Sequence, residues 1–358
     1  MTLAVNLAQG ASNNVTFRNR IINGAMVLDQ RNAGASVTPA GSANTYTLDR
    51  YGIYCSQSSK LTVQQSTTAP TGFTNSYLVT SSSAYSVTSS DEFNITQPIE
   101  GFNFSDMAWG TANAQTITLS FWVRSSLTGT FGGALRNSSL ARNYPFSYTI
   151  STANTFEYKT ITIAGDTSGT WVGATNGIGV YVGFSVGAGS SASGTAGAWA
   201  AGNKISATGA VSVVGTNGAT FYITGVQLEA GTTASPFEYR QYGTELQLCQ
   251  RYFWRMSGVS GGNNTIASAM VNASTDVRAV LTHPVPMRTT VSVSITGTNY
   301  GYSNAGSVKT LATINAADQT PQTVLLYSGA GTTSATVGQA AQYVITNVDS
   351  YISVSAEL

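Results

Sequence analysis

The chain has 358 residues, 9% of them charged and 42% hydrophobic, with a formal net charge of +1. Its lysines and arginines are scattered, so the clustered positive charge that nucleic acid and anionic membranes require is missing, and neither partner is expected. With so little charge, the surface must be built from Ser, Thr, Asn, Gln and part of the 37 glycines, a skin suited to neutral, hydroxyl-rich partners.

At about 150 residues per domain, the length predicts two domains. Met1 to Asn14 has no basic n-region and is interrupted by Asn6, Gln9 and Gly10, so it does not read as a secretory signal. No run nears the roughly 18 apolar residues of a spanning helix, and synthesis in a cytoplasm without membrane insertion is expected. Residues 1–18 are assigned to an N-terminal arm.

Asn19 to Gly24 and Phe221 to Glu229 are predicted as the first and last strands of one jelly-roll β-sandwich over 19–242, lying side by side so that both strand edges are covered. Period-two alternation supports the class. Ile117, Leu119, Phe121 and Val123 share one face of their run, as do Ile161 and Ile163 of theirs. Ile178, Val180, Val182, Phe184 and Val186 alternate with Gly179, Tyr181, Gly183 and Ser185. In the closing strand Phe221 and Ile223 have one parity, Val226 and Leu228 the other, so a β-bulge is predicted near Thr224 and Gly225.

From Thr244 to Arg255, Leu246, Cys249 and Phe253 recur at helical spacing behind a Thr244/Gln247 capping box, which predicts a connecting helix over 243–257. Alternation resumes at Asp276 to Leu281, Val291 to Ile295, Val324 to Tyr327, Tyr343 to Val348 and Ile352 to Leu358, so a smaller β-sandwich-like domain is expected over 258–358. Cys55 and Cys249 have neither disulfide-framework nor zinc spacing and read as free buried thiols.

Exposed aromatics are the first candidates for a site, because a sugar presents an apolar C–H face to a ring and hydroxyls to nearby amides. Tyr181 stands outward between Gly179 and Gly183, either clearing space for a planar ligand or covering bare glycine backbone. Trp199 lies in a long Gly/Ala/Ser-rich loop, 187–202, either as a stacking platform or as a pin for the loop. Trp122 is a third, weaker candidate beside Trp109 and Trp171. The glycines 177, 179 and 183 imitate a nucleotide loop but sit inside a strand, so no phosphate cradle is expected.

Catalysis has little support. His283, the lone histidine, precedes Pro284 in a turn without a nucleophile elbow. Asp91, Glu92, Glu100 and Asp106 are the one acidic cluster that could hold the paired carboxylates of a glycoside hydrolase. Asp29 and Asp49 could hold a calcium ion but lack EF-hand spacing, and ion pairs with Arg31 and Arg50 are the plainer expectation. No catalytic residue, metal or cofactor is assigned.

Taken together, Asn19 to Gly24, Asp29 to Arg31, Asp49 to Tyr51, Gln97 to Gly101, Leu119 to Val123, Gly129 to Arg136, Tyr222 to Glu229, Phe237, Glu238, Tyr242 to Glu245 and Cys249 to Tyr252 form a set. It spans Asn19 to Trp254, and with the ending Ser355 to Leu358 it resembles tail fibres and related virion surface proteins of tailed bacteriophages. The resemblance implies a non-enzymatic virion protein with a carbohydrate-binding-like jelly roll, homo-oligomeric and often trimeric, that attaches to host-surface glycans. Such fibres carry a long attachment domain before the first motif, whereas eighteen residues stand here. Two placements therefore stay open: an arm docked on another virion protein, or a seat on a shaft or capsid supplied by a different chain. Two other functions also stay open, a capsid decoration protein and a surface-polysaccharide hydrolase.

Overall fold

The computed structural model describes residues 17–304, 307–328 and 336–358. Most of the assigned arm, up to residue 16, lies outside them. The chain is all-β and separates into two units, Met1–Gln241 and Tyr242–Leu358.

The first unit is a jelly-roll sandwich; strands are numbered in chain order. Its larger sheet runs β1 (Ala43–Leu48), β2 (Tyr51–Cys55), β5 (Glu92–Glu100), β10 (Ile178–Ala188), β7 (Gly129–Arg136), β8 (Arg142–Ile150), β12 (Ala200–Ala201). The smaller runs β3 (Leu61–Ser66), β4 (Ser76–Ser81), β14 (Thr220–Ala230), β6 (Ile117–Ser125), β9 (Glu157–Ile163). Two short strands, β11 (Ser193–Gly194) and β13 (Ser206–Ala207), pair in parallel beside them. Alternation places Ile53, Phe93, Ile95, Leu135, Val182 and Phe184 of the large sheet against Val63, Val79, Leu119, Phe121, Val123 and Phe221 of the small one. Phe121 and Phe184 meet edge to face across the core at 5.0 Å.

The parity switch in β14 is resolved by a bulge: its register against β6 shifts between Thr224 and Gln227, and Gly225 takes a φ of +61°. Phe221, Ile223, Val226 and Leu228 are consequently all buried. A side chain at Gly225 would also collide with Phe73 and Trp122, so glycine is required there on two counts.

The expected strand pairing of the termini is corrected in form. β14 is an interior strand, and residues 19–24 lie beside it as irregular backbone, not as a strand. The reason is that β4 flanks only Thr220 to Ile223, leaving Val226 to Leu228 without a neighbour on that side. The segment supplies one: Arg20 N–H donates to Leu228 O at 2.8 Å, and Val226 N–H to Gly24 O at 2.9 Å. Asn19 completes it, accepting from Leu228 N–H on Oδ1 (3.0 Å) and donating through Nδ2 to Val226 O (3.0 Å).

In the second unit, helix α1 (Tyr242–Gln250) is followed by a three-stranded sheet, β15 (Phe253–Ser257), β24 (Tyr351–Ser355), β18 (Ser292–Thr296). A seven-stranded sheet runs β20 (Ser307–Thr310), β19 (Tyr300–Asn304), β23 (Ala340–Ile345), β16 (Asn264–Ala273), β17 (Asp276–Thr282), β22 (Thr323–Ser328), β21 (Ile314–Ala317). The helix expected over 243–257 is thus shorter. Phe253 continues its apolar spacing, but Phe253–Ser257 instead pairs antiparallel with β24, burying Phe253 and Trp254. A ladder with a distant strand overrides the local period.

A polar cleft on the outer face of the large sheet

Register assembles the site. On the outward face, Tyr54 of β2 stands opposite Asn94 of β5. Thr96 lies between Gly52 and Gly183, and Tyr181 of β10 stands between Pro98 of β5 and Arg136 of β7. These strands are hydrogen-bonded neighbours in the order β2, β5, β10, β7, so residues from four stretches of sequence share one surface. Asn44, Ser90, Glu92, Leu140 and Asn203 complete a cleft of about 360 Å³. That volume falls within the usual range of small-ligand sites.

Glycines lie beneath two of its amides. A Cβ at Gly183 would stand 2.9 Å from Asn94 Nδ2 and 3.0 Å from Oδ1, and one at Gly52 would stand 2.5 Å from Asn44 Oδ1. Both amides therefore lie flat against bare backbone. Arg136 is 7% exposed, donates through Nη1 to Asn203 Oδ1 (2.8 Å) and holds its guanidinium 5.3 Å from the centre of the Tyr181 ring.

Two buried atoms of lining residues have no partner among the described residues: Oδ1 of Asn94, a residue 1% exposed, and Nε of Arg136. One accepts and the other donates, and each left unpaired costs about 1–3 kcal/mol. Burial lowers the Arg136 pKa, opposed by Glu92 and Tyr181; burial raises the Glu92 pKa, opposed by Arg136. The Tyr181 phenol is pushed up by burial and drawn back by Arg136.

Of the three aromatics picked from the sequence, Tyr181 alone lines the cleft. Trp199 packs edge to face with Trp109 (5.0 Å), Tyr144 (5.2 Å) and Trp171 (5.5 Å), and its indole N–H donates to Ala164 O at 2.7 Å. Trp122, on the small sheet, lies against Gly225 and Tyr158. The structure thus places the three in separate surroundings. Sequence reasoning picked none of Asn44, Tyr54, Asn94, Thr96 and Asn203 as site residues, held Arg136 only within the motif set, and weighed Glu92 only as an acid. The available signal was polar residues of outward parity, Glu92, Asn94 and Thr96, between buried Phe93, Ile95 and Ile99.

The acidic cluster does not converge. Asp91 accepts from Ser56 Oγ (2.7 Å), Tyr85 OH (2.8 Å), and Thr88 N–H (2.7 Å) and Oγ1 (2.8 Å), which closes a turn. Asp106 pairs with Arg20 at 2.5 Å, and Glu100 is buried. Among the described residues, Glu92 is the one carboxylate lining the cleft. Asp29 caps the N–H groups of Asn32 and Gly34 instead of pairing with Arg31, which lies over the Tyr46 ring; Asp49 accepts from Gln30 N–H and Nε2. For Asp29, backbone donors three and five residues on are closer partners than a long side chain. His283 is buried against Trp254, with burial lowering its pKa against a bond to Thr320 O. Cys55 and Cys249 are buried and form no disulfide among the described residues, and burial pushes the Cys55 thiol up to about 12. A shallower hollow in the second unit, beside Met270 and Val280, has no buried unpartnered polar atom among its described lining residues.

No family model and no curated protein matches the chain. Solved structures with related architecture include a candidate sugar-binding protein of Bacteroides thetaiotaomicron, 13% identical, with a TM-score of 0.35, covering 60% of this chain and 100% of that one. A family 11 carbohydrate-binding module of Clostridium thermocellum is 13% identical over 56% of this chain and 99% of its own, with a TM-score of 0.27. A jelly-roll protein of an archaeal virus turret is 13% identical over 92% and 78%, with a TM-score of 0.22. At such scores these likenesses carry no argument about a ligand.

Proposed function

We propose that the first unit binds sugar in this cleft, and that the protein is an exposed component of a tailed-phage virion that attaches to host-surface glycans. One observation carries the binding reading: the cleft gathers two tyrosines, the amides of Asn44, Asn94 and Asn203, and the charges of Arg136 and Glu92. Sugar hydroxyls donate and accept, so they can bond to amides and charged groups alike while an apolar ring face rests on an aromatic. The virion reading is supported by the motif set between Asn19 and Trp254. In it, residues 1–18 dock on other virion proteins, and a trimer or similar homo-oligomer gives weak individual sites their avidity. Binding without turnover is the activity proposed, since a glycoside hydrolase needs two facing carboxylates and, among the described residues, Glu92 is the one carboxylate lining the cleft.

The full chain should bind oligosaccharides on a glycan array and compete with its phage for adsorption to cells, and Asn94→Leu should abolish both. Competition that survives Asn94→Leu would move the site elsewhere. Immunogold labelling of hundreds of head-borne copies, with no competition, would replace attachment by capsid decoration.

A further inference from the structure

Building on the sugar-binding reading, we infer that the cleft is charge-balanced to accept uncharged polyhydroxylated sugars and to turn away both uronates and amino sugars. Its lining holds one cation, Arg136, and one anion, Glu92. Each senses the other's charge, yet among the described residues they make no ion pair. The remaining lining side chains are amides, hydroxyls, phenols and Leu140.

A hydroxyl group is both donor and acceptor, so the hydroxyls of a neutral sugar chain can donate to Glu92 and accept from Arg136. A sugar carboxylate would gain a charge-assisted bond to Arg136 but would bring like charge towards Glu92 inside a cleft where Arg136 and Asn94 are already desolvated. A sugar ammonium meets the mirror-image penalty at Arg136. Either charged ligand thus gains one contact and suffers one repulsion, while the neutral ligand gains both contacts.

Affinity electrophoresis of the full chain at physiological salt tests this, in gels carrying neutral glucan, mannan or galactan, polygalacturonate, or chitosan. The wild type should be retarded by a neutral polymer and by neither charged one. Glu92→Gln should raise affinity for polygalacturonate about tenfold, at some cost to neutral binding, and Arg136→Gln should do the same for chitosan. Glu92 is only partly buried, so that arm decides the matter if Arg136→Gln does not fold. A wild type that binds a charged polymer as tightly as a neutral one overturns the inference and leaves the sugar-binding reading standing. So does a Glu92→Gln variant with unchanged charge preference. Binding to none of these polymers, with no signal on a glycan array, removes the sugar-binding reading and the inference with it.

Discussion

The amide of Asn94 on β5 lies against the bare α-carbon of Gly183 on β10, where an added methyl group would stand 2.9 Å from its nitrogen and 3.0 Å from its oxygen. The glycine makes room for the amide of this cleft-lining residue, whose oxygen is buried with no partner among the described residues. Gly183→Ala should therefore push Asn94 into the ligand's space. A loss of sugar affinity of about tenfold is expected, with a stability change below about 1 kcal/mol, since alanine is sterically tolerated in a strand apart from that one side chain. Titration and thermal melting of the same variant check both halves.

Asn94→Leu separates a binding role from a structural one. Replacing a buried unpartnered amide with an apolar group of similar size removes a desolvation cost, so the free protein should gain about 1–2 kcal/mol while binding is lost. A fall in melting temperature would show that the amide supports the fold.

Trp199→Ala should act through stability. The indole joins Trp109, Trp171 and Tyr144 and donates to Ala164 O, so its removal should destabilise the first unit by about 2–3 kcal/mol in chemical denaturation.

Glu238 clasps the start of the sandwich. Its Oε1 accepts from Phe17 N–H (3.0 Å) and Arg18 N–H (3.1 Å), and its Oε2 from Asn19 N–H (2.9 Å). Glu238→Ala leaves those donors without a shared acceptor, at a cost of about 1–3 kcal/mol. Trypsin should then cut after Arg18 or Arg20 faster than in the wild type, as mass spectrometry of a timed digest would show.

Acid should reveal Asp91. Burial alone would raise its carboxyl, but donors from Thr88, Ser56 and Tyr85 overrule burial and hold it below its ordinary value of 3.8. A depressed folded-state pKa gives stability that is complete above the unfolded value and lost as pH falls below it. The wild-type melting temperature should therefore drop more steeply than that of Asp91→Asn below about pH 4, from a higher starting point.

Parity in β6 and β10, and the parity switch that demands a bulge at Thr224 and Gly225, follow from residue order alone, because alternation is local and a buried face tolerates no slip. The all-β class was legible for the same reason, and Tyr181 could be picked out by its flanking glycines. Where local period and distant pairing compete, tertiary structure decided: Phe253 left the helix for β24, and Asn19 became a bridge to Val226 and Leu228, more than two hundred residues away. The cleft belongs to that second class. Tyr54, Asn94, Arg136 and Tyr181 come from four strands, and only the hydrogen-bonded order of those strands makes them neighbours. Whether an aromatic ring lines a cleft, as Tyr181 does, or packs against other rings, as Trp199 does, depends on what the fold sets beside it, and residue order does not carry that information.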